Sequence, residues 1–180
     1  MVRLQLTEDM ALDRKDRLTA LIIDIAFSGI YRKHPLCPQD RGISTTDLIP
    51  SVCKKTINQT FCLEILGSNP EAKTAHLFTL EKIAINLTIT QVNATNDKIQ
   101  SLLLKEKDPK LRNLYGNCSS NYEDAFAFLD QANLYLQSKQ FWEVIYSARD
   151  ACQDITFCEQ SFKKAALHFP LSKCTIELLY

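Results

Sequence analysis

Cys118 and Cys158 lie forty residues apart, with the polar stretch Gln137-Ser138-Lys139-Gln140 midway between them. No other feature restricts the fold as much. Running back from that stretch, small or apolar residues fall at Leu111, Tyr115, Cys118, Tyr122, Ala125, Leu129, Ala132 and Leu136, with gaps alternating four and three. This is the period of one buried helix face. Running forward, Val144, Ala148, Ala151, Ile155, Cys158 and Phe162 repeat it. Two amphipathic helices of similar length therefore face one another across a short loop, an αα-hairpin. Residues equidistant from the turn of an antiparallel pair are level, because both helices rise about 1.5 Å per residue. Each cysteine is twenty residues from Ser138 and on its helix's inward stripe, so the sulfurs can meet about 30 Å from the turn without bending the backbone. The spacing predicts a Cys118–Cys158 disulfide; the alternative is two buried reduced thiols serving as small apolar residues.

The remaining composition fits a helical chain. With 46% hydrophobic residues among 180, one core can be built, and four glycines, six prolines and long 3.6-period segments argue for an all-α fold. Twenty-one basic and twenty-one acidic residues are interspersed and cancel, which leaves no electrostatic footprint for nucleic acid. Seven cysteines are many for a reducing compartment, and the odd count leaves at least one unpaired or pairing between chains. Cys37, Cys152 and Cys174 have no assigned partner, so a disulfide-linked or bundle-exchange dimer is open to this chain. Asn-x-Ser/Thr sequons at Asn58, Asn86, Asn93 and Asn117 are candidate glycosylation sites. Cysteines and sequons together point toward the secretory route.

At the N-terminus, Leu18 to Tyr31 is an apolar run preceded by Arg14, Lys15 and Arg17, the order of a signal peptide, but it carries Asp24 and starts late. It reads as an atypical signal region or as an extension with no targeting role, and it is too short and charged to span a membrane, which takes about twenty apolar residues. Tyr31 to Ser44, with Pro35, Pro38, Gly42 and Cys37, reads as a linker. The expected division is thus an extension over 1–44 and a helical domain over 45–180.

Within that domain Asp47 is expected to cap a short helix running to about Thr56. Ile57 to Gln59 form a turn, and Thr60 caps a second short helix ending at Gly67. Cys53 and Cys62, nine residues apart, would staple this small hairpin. Asn69 and Pro70 supply a cap and a first-turn proline for a long helix extending to about Lys105. Leu77, Leu80, Ala84, Leu87 and Ala94 form one apolar flank of it; Ile85, Ile89, Val92, Ile99 and Leu103 form another. Lys82, Asn86, Asn93, Asp97 and Gln100 lie on a polar stripe between them, which would direct glycans on Asn86 and Asn93 to solvent. Asp108-Pro109 launches the next helix in the same way, and Phe141 opens a third that runs to about Lys163. A fourth helix is expected to close an up-down-up-down bundle. Ten residues follow Pro170, so that helix is expected to be short, leaving part of the inner face for a partner.

Catalytic patterns are missing: no P-loop, GxGxxG, GxSxG or HExxH occurs. The three histidines are scattered, and His34 near Cys37 lacks the second close pair a zinc site needs. Glu123 and Asp124 are adjacent and face different ways on a helix. No catalytic residue, cofactor or metal is assigned, and a thiol enzyme built on Cys152 is less favoured than a buried cysteine.

Leu48-Ile49, Cys53, Thr56, Cys62, Leu66, Asp108-Pro109, Leu111, Cys118, Tyr122, Ala125, Cys158-Glu159 and Phe162 together resemble the plant invertase and pectin methylesterase inhibitor family over about residues 45–162. The resemblance implies a secreted, apoplastic four-helix bundle preceded by a helical hairpin, with one disulfide inside the hairpin and one between the second and third bundle helices. It also implies a stoichiometric protein inhibitor of a cell-wall enzyme. Esterase inhibitors of the family lay bundle helices over the polysaccharide cleft. Invertase inhibitors place a Pro-Lys-Phe segment just before the third bundle helix, where this chain has Lys139-Gln140-Phe141. Ser138-Lys139 and Tyr146-Ser147-Ala148 look more like the esterase inhibitors and the pollen-type members called putative invertase inhibitors. Pectin methylesterase is taken as the leading target, with invertase and a non-inhibitory, allergen-like or degenerate bundle as alternatives. Asn121, Asp124, Phe128, Phe141, Trp142 and Glu143 are the candidate exposed contacts, because aromatics near a rigid turn are common interface anchors.

Overall fold

A computed structural model describes residues 45–54, 59–167 and 169–171. The regular elements among them are all helical: α1 (Thr45–Cys53), α2 (Gln59–Ser68), a 3₁₀ turn (Ala72–Thr74), α3 (Leu77–Lys105), α4 (Pro109–Gln137) and α5 (Phe141–Lys164). The expected extension over 1–44, Ile57 and Asn58 of the expected Ile57–Gln59 turn, and the closing helix after Pro170 lie outside the described residues, apart from Leu171.

The small hairpin departs from expectation at its ends. Asp47 lies inside α1 rather than capping it, and α2 begins at Gln59, before Thr60. Cys62 and Leu66, one turn apart on α2, are buried together, and the Cys53–Cys62 disulfide brings the two Cα atoms to 5.4 Å. Neither helix is long enough to persist alone in water; the bridge and the shared apolar face hold them.

Asn69 does cap, but not the long helix. Its Oδ1 accepts from the backbone N–H of Glu71 (2.9 Å) and Ala72 (3.3 Å), which starts only the 3₁₀ turn. Ala72 and Ala75 are buried where this turn packs against the hairpin. Ala75 and His76 are extended, at ψ 147° and 165°, and α3 starts afresh at Leu77. Burial of two small residues under the hairpin interrupts what the sequence reads as one helix.

Asp108 caps α4 as a cap should, its Oδ1 accepting from Lys110 N–H (2.7 Å) and Leu111 N–H (3.1 Å), with Pro109 in the first turn. α4 is the central helix, packed along both α3 and α5. Toward α3 the contact includes polar groups that fix its register. Asn133 Nδ2 donates to Asn86 Oδ1 (3.2 Å), and Ser119 Oγ donates to Asn96 Oδ1 (3.0 Å) while accepting from Gln100 Nε2 (3.5 Å). Toward α5 the contact is apolar, with Tyr122, Ala125, Leu129, Ala132, Val144, Ala148, Ala151 and Ile155 all buried.

The turn from α4 to α5 is a Schellman motif. Gln140 N–H donates to Tyr135 C=O and Lys139 N–H to Leu136 C=O, both at 2.9 Å, with Lys139 at φ 59°. The same motif ends α5, where Leu167 N–H donates to Phe162 C=O (3.0 Å) and Ala166 takes φ 57°. That reversal sets Phe169 against Phe162 (ring centroids 4.9 Å apart), and Phe162 meets Tyr115 on its other side (5.3 Å).

Between these aromatics and the turn, Cys118 and Cys158 are joined, their Cα atoms 4.6 Å apart and both residues buried. Closing a forty-residue loop constrains the unfolded chain more than closing a nine-residue one, by about 4 against about 2.5 kcal/mol in the loop-entropy model. Replacing Cys118 and Cys158 by Ala is expected to cost the larger share of stability in urea unfolding, and replacing Cys53 and Cys62 the smaller. Equal or reversed losses would contradict the hairpin's central place.

Candidate functional site

Two polar stripes run side by side along the outer seam of α4 and α5. On α4, Asn117, Asn121, Asp124 and Phe128 follow gaps of four, three and four; on α5, Glu143, Ser147, Asp150 and Asp154 follow the same gaps. Such spacing keeps four residues on one side of a helix. The antiparallel hairpin then lays one stripe beside the other. Asp124 and Glu143 are exposed, Asn121 is half-buried, and Phe128 is 37% exposed. Ser147, at 7%, forms the floor.

Asp124 and Asp154 are close enough across the seam to repel one another. The Asp154 carboxyl is held above the usual carboxylate range, first by burial and then by the charges of Asp124 across the seam and Asp150 one turn back. Asp150 is partly neutralised by Arg149, whose Nη2 and Nε lie 3.1 and 3.3 Å from the same carboxylate oxygen. The face is thus acidic, with an exposed aromatic edge at Phe128.

The six contacts named from the sequence do not form one patch. Asn121, Asp124, Phe128 and Glu143 share the seam. Trp142 is 47% exposed, but one helix step turns it about 100° away from Glu143. It belongs to an outer stripe of α5 with Tyr146, Arg149 and Phe157, where the Arg149 guanidinium lies 5.2 Å from the centre of the Tyr146 ring. Phe141, at the first position of α5, is half-buried against the core and is not an exposed anchor. Asp150 and Asp154 are additions, foreshadowed only by their spacing from Glu143.

Of the sequons, Asn86, Asn93 and Asn117 are exposed on α3 and α4, and Asn58 lies outside the described residues. Cys152 is buried and outside both disulfides; Cys37 and Cys174 are not described. Among the described residues no cluster of three metal-ligating side chains occurs, and no helix is long and apolar enough to cross a membrane.

Residues 47–177 match the family described as Plant invertase/pectin methylesterase inhibitor. The chain belongs to this family. It is a family of enzyme inhibitors, so the chain is an inhibitor-family protein rather than an enzyme. A pectinesterase inhibitor of Actinidia deliciosa is 33% identical over 129 residues, 72% of this chain and 70% of that protein. A cell wall / vacuolar inhibitor of fructosidase 2 from Arabidopsis thaliana is 32% identical over 80 residues, 44% of each. Among solved structures, a mutant form of a pectin methylesterase inhibitor from Arabidopsis superposes with a TM-score of 0.59 at 25% identity, covering 73% of this chain and 93% of that one.

Two outcomes follow from the seam and its turn. Because folded Asp154 binds its proton more tightly than the unfolded chain does, its contribution to stability falls as pH rises from the ordinary carboxylate range through the raised value. Asp154→Asn is therefore expected to unfold at higher temperature than wild type above that window and to match it in stronger acid, as read by thermal melts across pH. At Lys139, the left-handed backbone costs an L-residue about 1 kcal/mol that glycine does not incur. Lys139→Gly is expected to stabilise by roughly that amount, and Lys139→Pro to destabilise, since proline holds φ near −65°.

Proposed function

We propose that this chain is a secreted inhibitor of a plant cell-wall pectin methylesterase, acting as a one-to-one partner that lays the α4–α5 seam over the enzyme's polysaccharide cleft. The observation that carries the target is the likeness to a pectinesterase inhibitor over 72% of the chain and 70% of the relative. The seam suits docking on physical grounds. Its residues stand on two helices cross-linked at Cys118–Cys158, so little conformational freedom is lost on binding. Its carboxylates supply hydrogen-bond acceptors and negative charge to a cleft built for polyuronide ester, and Phe128 supplies an aromatic anchor.

A second reading, inhibition of invertase, is favoured by the family's breadth and by the fructosidase-inhibitor relative. The turn argues against it. The family's invertase contact places a proline where this chain has Lys139, and φ 59° at that position excludes proline in the turn as it stands. A bundle without inhibitory activity, and the association of two copies, are the remaining readings.

Titrating the purified chain against a plant pectin methylesterase and a plant invertase separates the two inhibitor readings from each other and from a bundle without inhibitory activity. Loss of esterase activity at an equimolar ratio, with invertase spared, is expected; the reverse pattern, or no loss of either at a large molar excess, overturns the reading. Phe128→Ala is expected to weaken esterase inhibition by about 1–3 kcal/mol, or roughly 5- to 150-fold, with the fold unchanged by circular dichroism.

A further inference from the structure

The sequon Asn117-Cys118-Ser119 differs from the others on α3 and α4 in two respects. Its middle residue is a disulfide cysteine, whereas Leu87 and Ala94 occupy that place at Asn86 and Asn93. Its asparagine also stands on the seam, one helical turn from Asn121 and in line with Asp124 and Phe128.

Residues i and i+2 of an α-helix point about 200° apart. In the folded chain Asn117 faces solvent while Ser119 is buried, its hydroxyl on Asn96 Oδ1 at 3.0 Å. Glycan transfer needs the asparagine amide and the sequon hydroxyl together on a locally extended chain. Asn117 Nδ2 loses a proton and bonds to the anomeric carbon of an oligosaccharide carried as its lipid pyrophosphate, and the carbon–oxygen bond to the pyrophosphate breaks, releasing the lipid pyrophosphate. Folded α4 cannot present that substrate. The Cys118–Cys158 bridge locks α4 at the sequon itself: two thiols lose two protons and two electrons to a protein disulfide of the folding compartment, which becomes a dithiol. Position 158 emerges forty residues after the sequon does, so transfer and closure compete within a defined interval.

We propose that Asn117 is a conditional glycosylation site, occupied only in chains that are modified before Cys118–Cys158 closes, and that its glycan, standing on the α4–α5 seam, shuts off target binding. The first half rests on the sequon, the disulfide beside it and passage through the secretory route; the second rests on the inhibitor reading above. Secretory synthesis would thereby yield two forms of one chain, one with an open seam and one with a covered seam. The glycans of α3 would leave the seam open, because Asn86 and Asn93 lie on the opposite flank of α4, where Asn86 meets Asn133.

The test expresses the full chain behind a secretory leader in plant cells, with Asn58, Asn86 and Asn93 changed to Gln so that Asn117 is the sole sequon. Occupancy is read by glycopeptide mass. Partial occupancy is expected, rising toward completion in Cys158→Ser, which leaves the sequon intact and whose readout does not require folding. Cys53→Ser, which spares the central bridge, is expected to leave occupancy unchanged. Equal occupancy with and without Cys158, at any level, overturns the competition. Lectin-separated forms are then titrated against pectin methylesterase. The glycosylated form is expected to bind roughly 100-fold more weakly or worse, the loss of a hot-spot cluster; equal inhibition by both overturns the seam as the glycan's site of action. Failure of both forms to inhibit overturns the target reading and the binding half with it, while the occupancy result still decides the competition.

Discussion

The Cys118–Cys158 bridge determines what the rest of this structure can be. It joins the two inward stripes about 30 Å from the turn by helical rise, at the end where a hairpin would otherwise fray. With the Schellman turn at Lys139 fixing one end and the disulfide fixing the other, α4 and α5 can neither slide nor rotate against each other. A slip of one residue on either helix would swing its stripe by about 100° and take a sulfur out of reach. The bridge thus sets register as well as limiting the unfolded ensemble, and the seam inherits that register.

A fixed seam changes the energetics of recognition. Carboxylates gathered on mobile side chains would lose rotamer freedom on docking, but Asp154 is already partly desolvated beside Asp124 and Asp150. Repulsion within this group is tolerated because the helices are held together elsewhere, by the Tyr115, Phe162 and Phe169 stack and by the apolar α4–α5 contact. A partner that supplies positive charge or hydrogen-bond donors would relieve that repulsion on binding. Core packing and disulfide therefore hold in place a surface that does not hold itself, and that surface is what a target would meet.

Most of this hairpin was legible in the sequence because it rests on period and spacing. Every inward residue from Tyr115 to Leu136 and from Val144 to Phe162 is buried, and the Asp108-Pro109 cap behaves as its side chains dictate. The failures have a common cause. Asn69-Pro70 carries the local signal of a helix start, yet burial of Ala72 and Ala75 under the small hairpin, a tertiary contact, ends that start after one turn. Phe141 and Trp142 are neighbours in sequence but separate on the surface, one packed against the core and one outward. Glu81, wholly buried on α3, is a charged residue that an apolar stripe does not anticipate. Local rules located the helices and the bridge; which polar residues share a face depended on how those helices pack.

Carboxylate footprinting tests the seam most directly. Labelling exposed carboxyls with a water-soluble carbodiimide and an amine, in the isolated protein and in an equimolar mixture with pectin methylesterase, should show Asp124, Glu143, Asp150 and Asp154 protected together in the mixture. Glu64 and Glu71, on the small hairpin side, should label equally in both. Protection confined to Glu64 and Glu71, or four seam carboxylates that label alike with and without the esterase, would contradict the account.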